Sequence, residues 1–159
     1  MSQKAFQDYY PDDFNRCFGC GGLNKHGHQL KSFWDGEETV AEFTPKPWHT
    51  TIPGYVYGGL IASLIDCHST GTASAALYRK EGREMGSEPP IRCVTASLHV
   101  DYLRPTPLHG TLKLRATVEK TEGNRVTVKV NLFGGGELCA KGEVVAVAVN
   151  EKWMKKWIK

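Results

Sequence analysis

A chain of 159 residues, 40% hydrophobic and 23% charged, has the size and composition of one globular domain around a single core, which leaves little room for a second. Its 20 basic and 17 acidic residues give a formal charge of +3 and are spread along the chain. This balance does not suggest a nucleic-acid binder and allows only a mild attraction for anionic ligands. Met1 to Phe6 carries no apolar signal core, and no uncharged apolar run reaches the roughly 18 residues of a membrane span, so the expectation is a cytoplasmic protein without a membrane partner.

Residues 1–36 are rich in Gly, Asp, His and aromatics without sustained periodicity and read as an N-terminal arm packed on the domain, with a short helix and a turn at Cys17 to Gly22. The domain proper is expected over 37–150, opening with a short alternating strand at Thr39 to Phe43. Pro45, Pro47, Pro53 and Gly54 then punctuate a loop that ends at Tyr57-Gly58-Gly59, where a helix begins. From Leu60 to Tyr78 the apolar residues Leu60, Ile61, Leu64 and Ile65 share a stripe with Gly71, Thr72, Ala75 and Ala76, and small residues cover much of the rest. Asp66 is the only formal charge in that span, so the helix is expected to be buried on most sides.

A charged stretch, Arg79 to Glu88, separates this helix from a run of strands. Val94, Ala96, Leu98, Val100 and Tyr102 alternate with polar residues, as do Leu112 to Val118, Val126 to Leu132 and a last strand from about Leu138 to Val149. Glu122-Gly123-Asn124 and Gly134-Gly135-Gly136 supply the turns. Short connections favour an antiparallel meander, and one long buried helix must cross a face of it, which gives an α+β single-helix roll. Residues 151–159 form a tail in which Trp153, Met154, Trp157 and Ile158 have helical spacing and could cover a sheet edge or a partner subunit.

Asp66 needs an explanation, because a lone carboxylate on a buried helix suffers desolvation that raises its pKa unless a partner compensates. An exposed position or a plain salt bridge is the competing account. Upstream, Gly58 and Gly59 open the helix, where unpaired backbone amides and the positive end of the helix dipole can face a developing oxyanion. Asp66 follows Gly58 by eight positions, about 12 Å along the axis. A carbonyl within reach of both groups therefore requires a carboxylate from a second chain, or a bend in the helix.

Tyr57-Gly58-Gly59-Leu60-Ile61-Ala62-Ser63-Leu64-Ile65-Asp66 resembles the His-Gly-Gly-x6-Asp helix start of PaaI-type thioesterases of the hotdog-fold (4-hydroxybenzoyl-CoA thioesterase-like) superfamily. Val94 to Pro105 resembles the long strand that follows it there, and Cys17-Phe18-Gly19-Cys20-Gly21 an N-terminal extension seen in some relatives. The resemblance spans roughly residues 40–149. It implies an antiparallel sheet wrapped around one central helix, and hydrolysis of acyl-CoA-like thioesters. In its terms Asp66 is the general base or nucleophile, Gly58 the oxyanion-hole amide and Thr95 a hydroxyl that orients water. Gly59, Tyr57, Thr51 and Arg104 would contact substrate. Tyr57 stands where the family usually has His, and Thr51 where some relatives have Asn. The resemblance also implies a homodimer, or a dimer of dimers, whose helices lie side by side and share each active site.

Other constellations carry less. His68 falls in the apolar stripe, where a hydrogen-bonded core histidine is expected, and adjacent Cys67 and His68 point about 100° apart. Cys17-x-x-Cys20 with His26 and His28 has partial zinc-ligand spacing, but the pairs are too close for a usual finger. It reads as a tight turn with two small buried thiols, so no metal is expected, and no organic cofactor beyond the coenzyme A of the substrate. Five cysteines, an odd number, point to reduced thiols rather than a disulfide framework. Lys80, Arg83, Arg92 and Arg104 are the basic residues that could meet coenzyme A phosphates. Two alternatives stay open: a hotdog hydro-lyase acting on 3-hydroxyacyl thioesters, with His49 the only nearby histidine, and a non-catalytic acyl-CoA binding domain.

Overall fold

The helix expected from Leu60 forms as α1, Gly58–Lys80, the longest element of the computed structural model, which describes residues 2–157. Leu60, Ile61, Leu64, Ile65, Ala73, Ala75 and Leu77 are buried on it, and so are Ser69, Thr70, Thr72 and Ser74. The hydroxyl residues tolerate burial by turning back onto their own helix: Ser69 Oγ donates to Ile65 O (2.7 Å), Thr72 Oγ1 to His68 O (2.8 Å) and Ser74 Oγ to Thr70 O (3.0 Å). A helix without a solvated stripe is thereby stable inside a protein.

Six strands wrap it: β1 (Ser32–Asp35), β2 (Glu38–Phe43), β3 (Arg92–Tyr102), β4 (Leu112–Glu122), β5 (Arg125–Gly134) and β6 (Glu137–Val149). They form one antiparallel sheet in the order β1-β2-β4-β5-β6-β3. Alternation decides which side chains face α1: Leu112, Leu114 and Ala116 of β4, Val126, Val128, Val130 and Leu132 of β5, and Ala140, Val144 and Ala146 of β6 are all buried. At Gly142 of β6 a Cβ would overlap Ile65 of the helix, so glycine there sets how closely sheet and helix approach.

Two features depart from the sequence reading. No strand was expected before Thr39, yet Ser32–Asp35 pairs with Glu38–Ala41, and this hairpin straddles the position where arm gives way to domain. Its inward residue is Ser32, held by hydrogen bonds rather than apolar contact, which removes the periodicity that would have marked it. On β3, a sheet edge with one neighbour, Val94, Leu98 and Tyr102 of the alternating apolar set are exposed, while Val100 is partly buried against the core. The tail forms a short helix, α2 (Glu151–Trp157), with Trp153 and Trp157 exposed. Ile158 of the expected apolar tail set lies outside the described residues. No described helix is long and apolar enough to cross a membrane.

His68 is the hydrogen-bonded core histidine expected of its position. Its Nδ1 is 2.9 Å from Ser32 Oγ, and its Nε2 is 3.3 Å from both the hydroxyl and the carbonyl oxygen of Thr39. Gln7 of the arm completes the network by accepting from Ser32 N at 2.8 Å. Burial lowers the His68 pKa to about 4, so the imidazole stays neutral in the folded chain. An unfolded chain takes up a proton near pH 6.5 and the folded one does not, so stability falls as pH drops from about 6.5 towards 4. The slope is at most about 1.4 kcal/mol per pH unit for this group. Urea unfolding across that interval should show a steeper loss for the wild type than for His68→Gln, whatever the variant's absolute stability. Equal slopes would contradict this account.

Candidate active site

Asp66 sits two turns into α1, half-buried, facing β3. Thr95 of β3 donates its hydroxyl to Asp66 Oδ1. The strand is deformed at this point: Thr95 pairs with Ala146 and Ser97 with Val145, so Ala96 is an extra residue without a partner on β6. Such a bulge re-aims the side chains beside it, and it lies next to the one that meets the carboxylate. Burial raises the Asp66 pKa above its ordinary value, the Thr95 hydrogen bond opposes that shift, Cys17 adds to it and Arg92 offsets it. A carboxylate with one oxygen held, the other without a hydrogen-bond partner among the described residues, and its basicity raised is equipped to accept a proton.

The helix start is open, as its glycines suggest. Tyr57 is the N-cap residue and makes no side-chain hydrogen bond to the first amides. Tyr102, from the end of β3, donates its hydroxyl to Gly58 O at 2.7 Å and lies against the Gly58 Cα. Nothing in the sequence marked Tyr102, the last member of an alternating apolar set. The Tyr57 ring folds over Gly59, where a Cβ would stand 2.6 Å from it. Helix α1 runs unbroken from Gly58 through Asp66, so the separation of about 12 Å is kept within one chain.

The remaining residues lie further out. Thr51 belongs to an exposed turn in which its amide donates to Tyr55 O (3.0 Å). Arg104, just past β3, pairs with Glu137 at 2.5 Å. Among the other cations considered for coenzyme A, Arg83 pairs with Glu81 and donates to the Ser87 carbonyl. Arg92 turns inward, with its guanidinium 4.6 Å from the Tyr10 ring centre. His49 accepts from Lys46 N through Nδ1 (2.9 Å) and packs on Phe43 and His28.

A thiol cluster adjoins the carboxylate. Cys17 and Cys20 close a tight turn in which Gly21 N donates to Cys17 O (2.8 Å), and Cys17 Sγ lies 3.8 Å from Cys67 Sγ on α1. Hydrogen bonds from Cys20 and then Cys67 hold the Cys17 thiol far below the ordinary thiol range, while the interaction with Cys17 pushes Cys20 up to about 11. The sequence had paired Cys17 and Cys20 with His26 and His28. Cys67 takes that place, while His26 is exposed and His28 lies in the aromatic group of Phe18, Phe43 and His49. A contact fifty positions away in sequence has no local signal.

Residues 53–141, more than half of the chain, match the family model described as Thioesterase superfamily. The chain belongs to this superfamily. It is 36% identical over 87 residues to acyl-coenzyme A thioesterase THEM4 of Xenopus laevis, covering 55% of this chain and 33% of that protein. Against the Mus musculus protein of that name the identity is 32% over 98 residues, covering 62% and 36%. The matched segment thus spans about a third of the length of these relatives. Among solved structures, a thioesterase superfamily protein of Shewanella loihica PV-4 is 47% identical, with a TM-score of 0.65 over 80% of this chain and 96% of that one. The PaaI protein of the E. coli phenylacetic acid degradation operon shares the fold at 14% identity, with a TM-score of 0.62 over 77% and 81%. The wrapped helix is the hotdog fold of this superfamily.

The Thr95 hydroxyl lowers the Asp66 pKa against the effect of burial. Thr95→Val should therefore move the Asp66 titration, followed by carboxyl-carbon NMR, further up, and Thr95→Ser should largely restore it. An unmoved titration in Thr95→Val would remove that hydrogen bond from the account.

Proposed function

We propose that this chain hydrolyses acyl-CoA-like thioesters, with Asp66 as the general base. The observation that carries the reading is the Asp66–Thr95 pair: a half-buried carboxylate of raised pKa whose Oδ1 is claimed by a hydroxyl, on a helix that opens with two uncapped glycines. The acyl-CoA thioesterase relatives support the substrate class.

In this mechanism the thioester carbonyl oxygen points at the Gly58 and Gly59 amides, and the partial positive charge of the helix start stabilises the oxyanion as it forms. Water held by Asp66, whose orientation Thr95 fixes, attacks the carbonyl carbon while Asp66 takes its proton. The tetrahedral intermediate then expels the coenzyme A thiolate, which leaves readily without a strong acid. Tyr57, in place of the usual histidine, lays its ring beside Gly59 and helps to shape the entrance. Thr51 and Arg104 stand as outer substrate contacts, for the acyl carbonyl and the coenzyme A phosphates respectively.

The separation of about 12 Å between amide and carboxylate in one unbroken helix is the reason to assign the working unit to a homodimer, each site joining Gly58 of one chain to Asp66 of its partner. Edge strand β3, eleven residues long with Val94, Leu98 and Tyr102 exposed, is the surface suited to pairing with a second copy of itself.

Thiol release from a panel of acyl-CoA thioesters tests the reaction. Asp66→Asn should lower turnover by more than about a hundredfold with an unchanged or higher Tm, because an amide is cheaper to bury than a carboxylate. Undiminished turnover in that variant would end the proposal. The assembly has its own test. Leu98→Lys sets like charges on the paired edges, so it should shift the chain to monomer in sedimentation and reduce activity in parallel. A fully active monomer would count against the shared site.

A further inference from the structure

Outside the Asp66–Thr95 pair, the described residues contain a cluster of three ligating side chains, Cys17, Cys20 and Cys67, whose sulfurs lie within 4.8 Å of one another. We propose that these three thiolates bind one Zn2+ ion, which ties the N-terminal arm to α1 beside Asp66. The inference is independent of the reaction assigned to the chain.

The geometry suits the ion. Zinc–sulfur bonds of about 2.3 Å place the sulfurs of a tetrahedral site about 3.8 Å apart, and Cys17 Sγ and Cys67 Sγ are separated by 3.8 Å. All three cysteines are free, so no disulfide competes. The backbone is shaped to bring them together. At Gly19, between the two cysteines of the turn, a Cβ would overlap Cys67 Sγ, so only glycine lets the turn press onto the helix at that depth. Cys20 and Cys67 are buried while Cys17 is half-exposed, which leaves an approach for the ion from the solvent side.

Charge supplies the second argument. Arg92 has no carboxylate partner among the described residues; its guanidinium lies over the Tyr10 ring, and its Nη2 is 3.9 Å from Cys20 Sγ. A sheltered cation without a paired counter-charge is costly, and although Arg92 also acts on Asp66 at longer range, the group its guanidinium meets is a thiol of the cluster. Three thiolates around a divalent cation carry one net negative charge, which Arg92 neutralises. A monovalent soft ion would leave an unbalanced charge in the same place. The fourth position falls to a solvent ligand.

The test is metal content and thermal stability of the full chain, purified under reducing conditions, stripped with chelator and reconstituted with Zn2+. The wild type should retain about one equivalent through gel filtration and gain in Tm on reconstitution. Cys17→Ser and Cys67→Ser should retain less than about a fifth of that and gain nothing. His26→Ala/His28→Ala should bind as the wild type does. Should Cys67→Ser fail to fold, the half-exposed Cys17→Ser decides alone. Absence of retained zinc in the reconstituted wild type overturns the proposal. So does retention unaffected by Cys17→Ser, which marks an adventitious ion, or retention lost in the histidine variant.

Discussion

A helix buried on nearly every side leaves its polar atoms nowhere to go except to one another or to the sheet around it, and the rest of this molecule follows from that constraint. The hydroxyls of Ser69, Thr72 and Ser74 bond to carbonyls of α1 itself. His68 reaches Ser32 and Thr39 and so recruits the β1–β2 hairpin, and Gln7 then fastens the arm to that hairpin. Asp66 is met by Thr95, immediately before the bulge of β3. The polar residues of α1 therefore fix which strand lies where, while the apolar ones supply the driving force for burial.

The same economy explains why the catalytic candidate is a carboxylate in an uncomfortable place. Burial raises its pKa, and the single hydroxyl contact compensates only in part. A fully satisfied Asp66 would be a better structural residue and a poorer base. Stability withheld at this one position is supplied by a sheet whose inner face is apolar along β4, β5 and β6.

Legibility in the sequence divided along physical lines. Periodicity revealed α1 and the long strands because their spacing is repeated many times over; β5, with Val126, Val128, Val130 and Leu132, is the plainest case. Asp66 stood out for the same reason, as the exception in an otherwise uncharged pattern. The four-residue strand Ser32–Asp35 was missed because its inward contact is a hydrogen bond rather than a repeated apolar side chain. Tyr102 at Gly58, Arg92 over Tyr10 and Cys67 beside Cys17 were missed because each joins residues far apart in the chain. Local spacing says nothing about which distant element lands opposite, and the histidines next to Cys20 in sequence were set aside by that geometry.

The unpaired Ala96 has one more implication. Because β3 carries an extra residue there, the strand has two phases, one up to Thr95 and one from Ser97 onward. The first reaches α1 through Thr95 and Asp66; the second reaches it again through Tyr102, whose hydroxyl meets Gly58 O, and leaves Leu98 exposed. One strand thus touches the helix twice, at the carboxylate before the extra residue and at the first glycine after it. The bulge works as a phase corrector, which lets a single strand brace both ends of the candidate site.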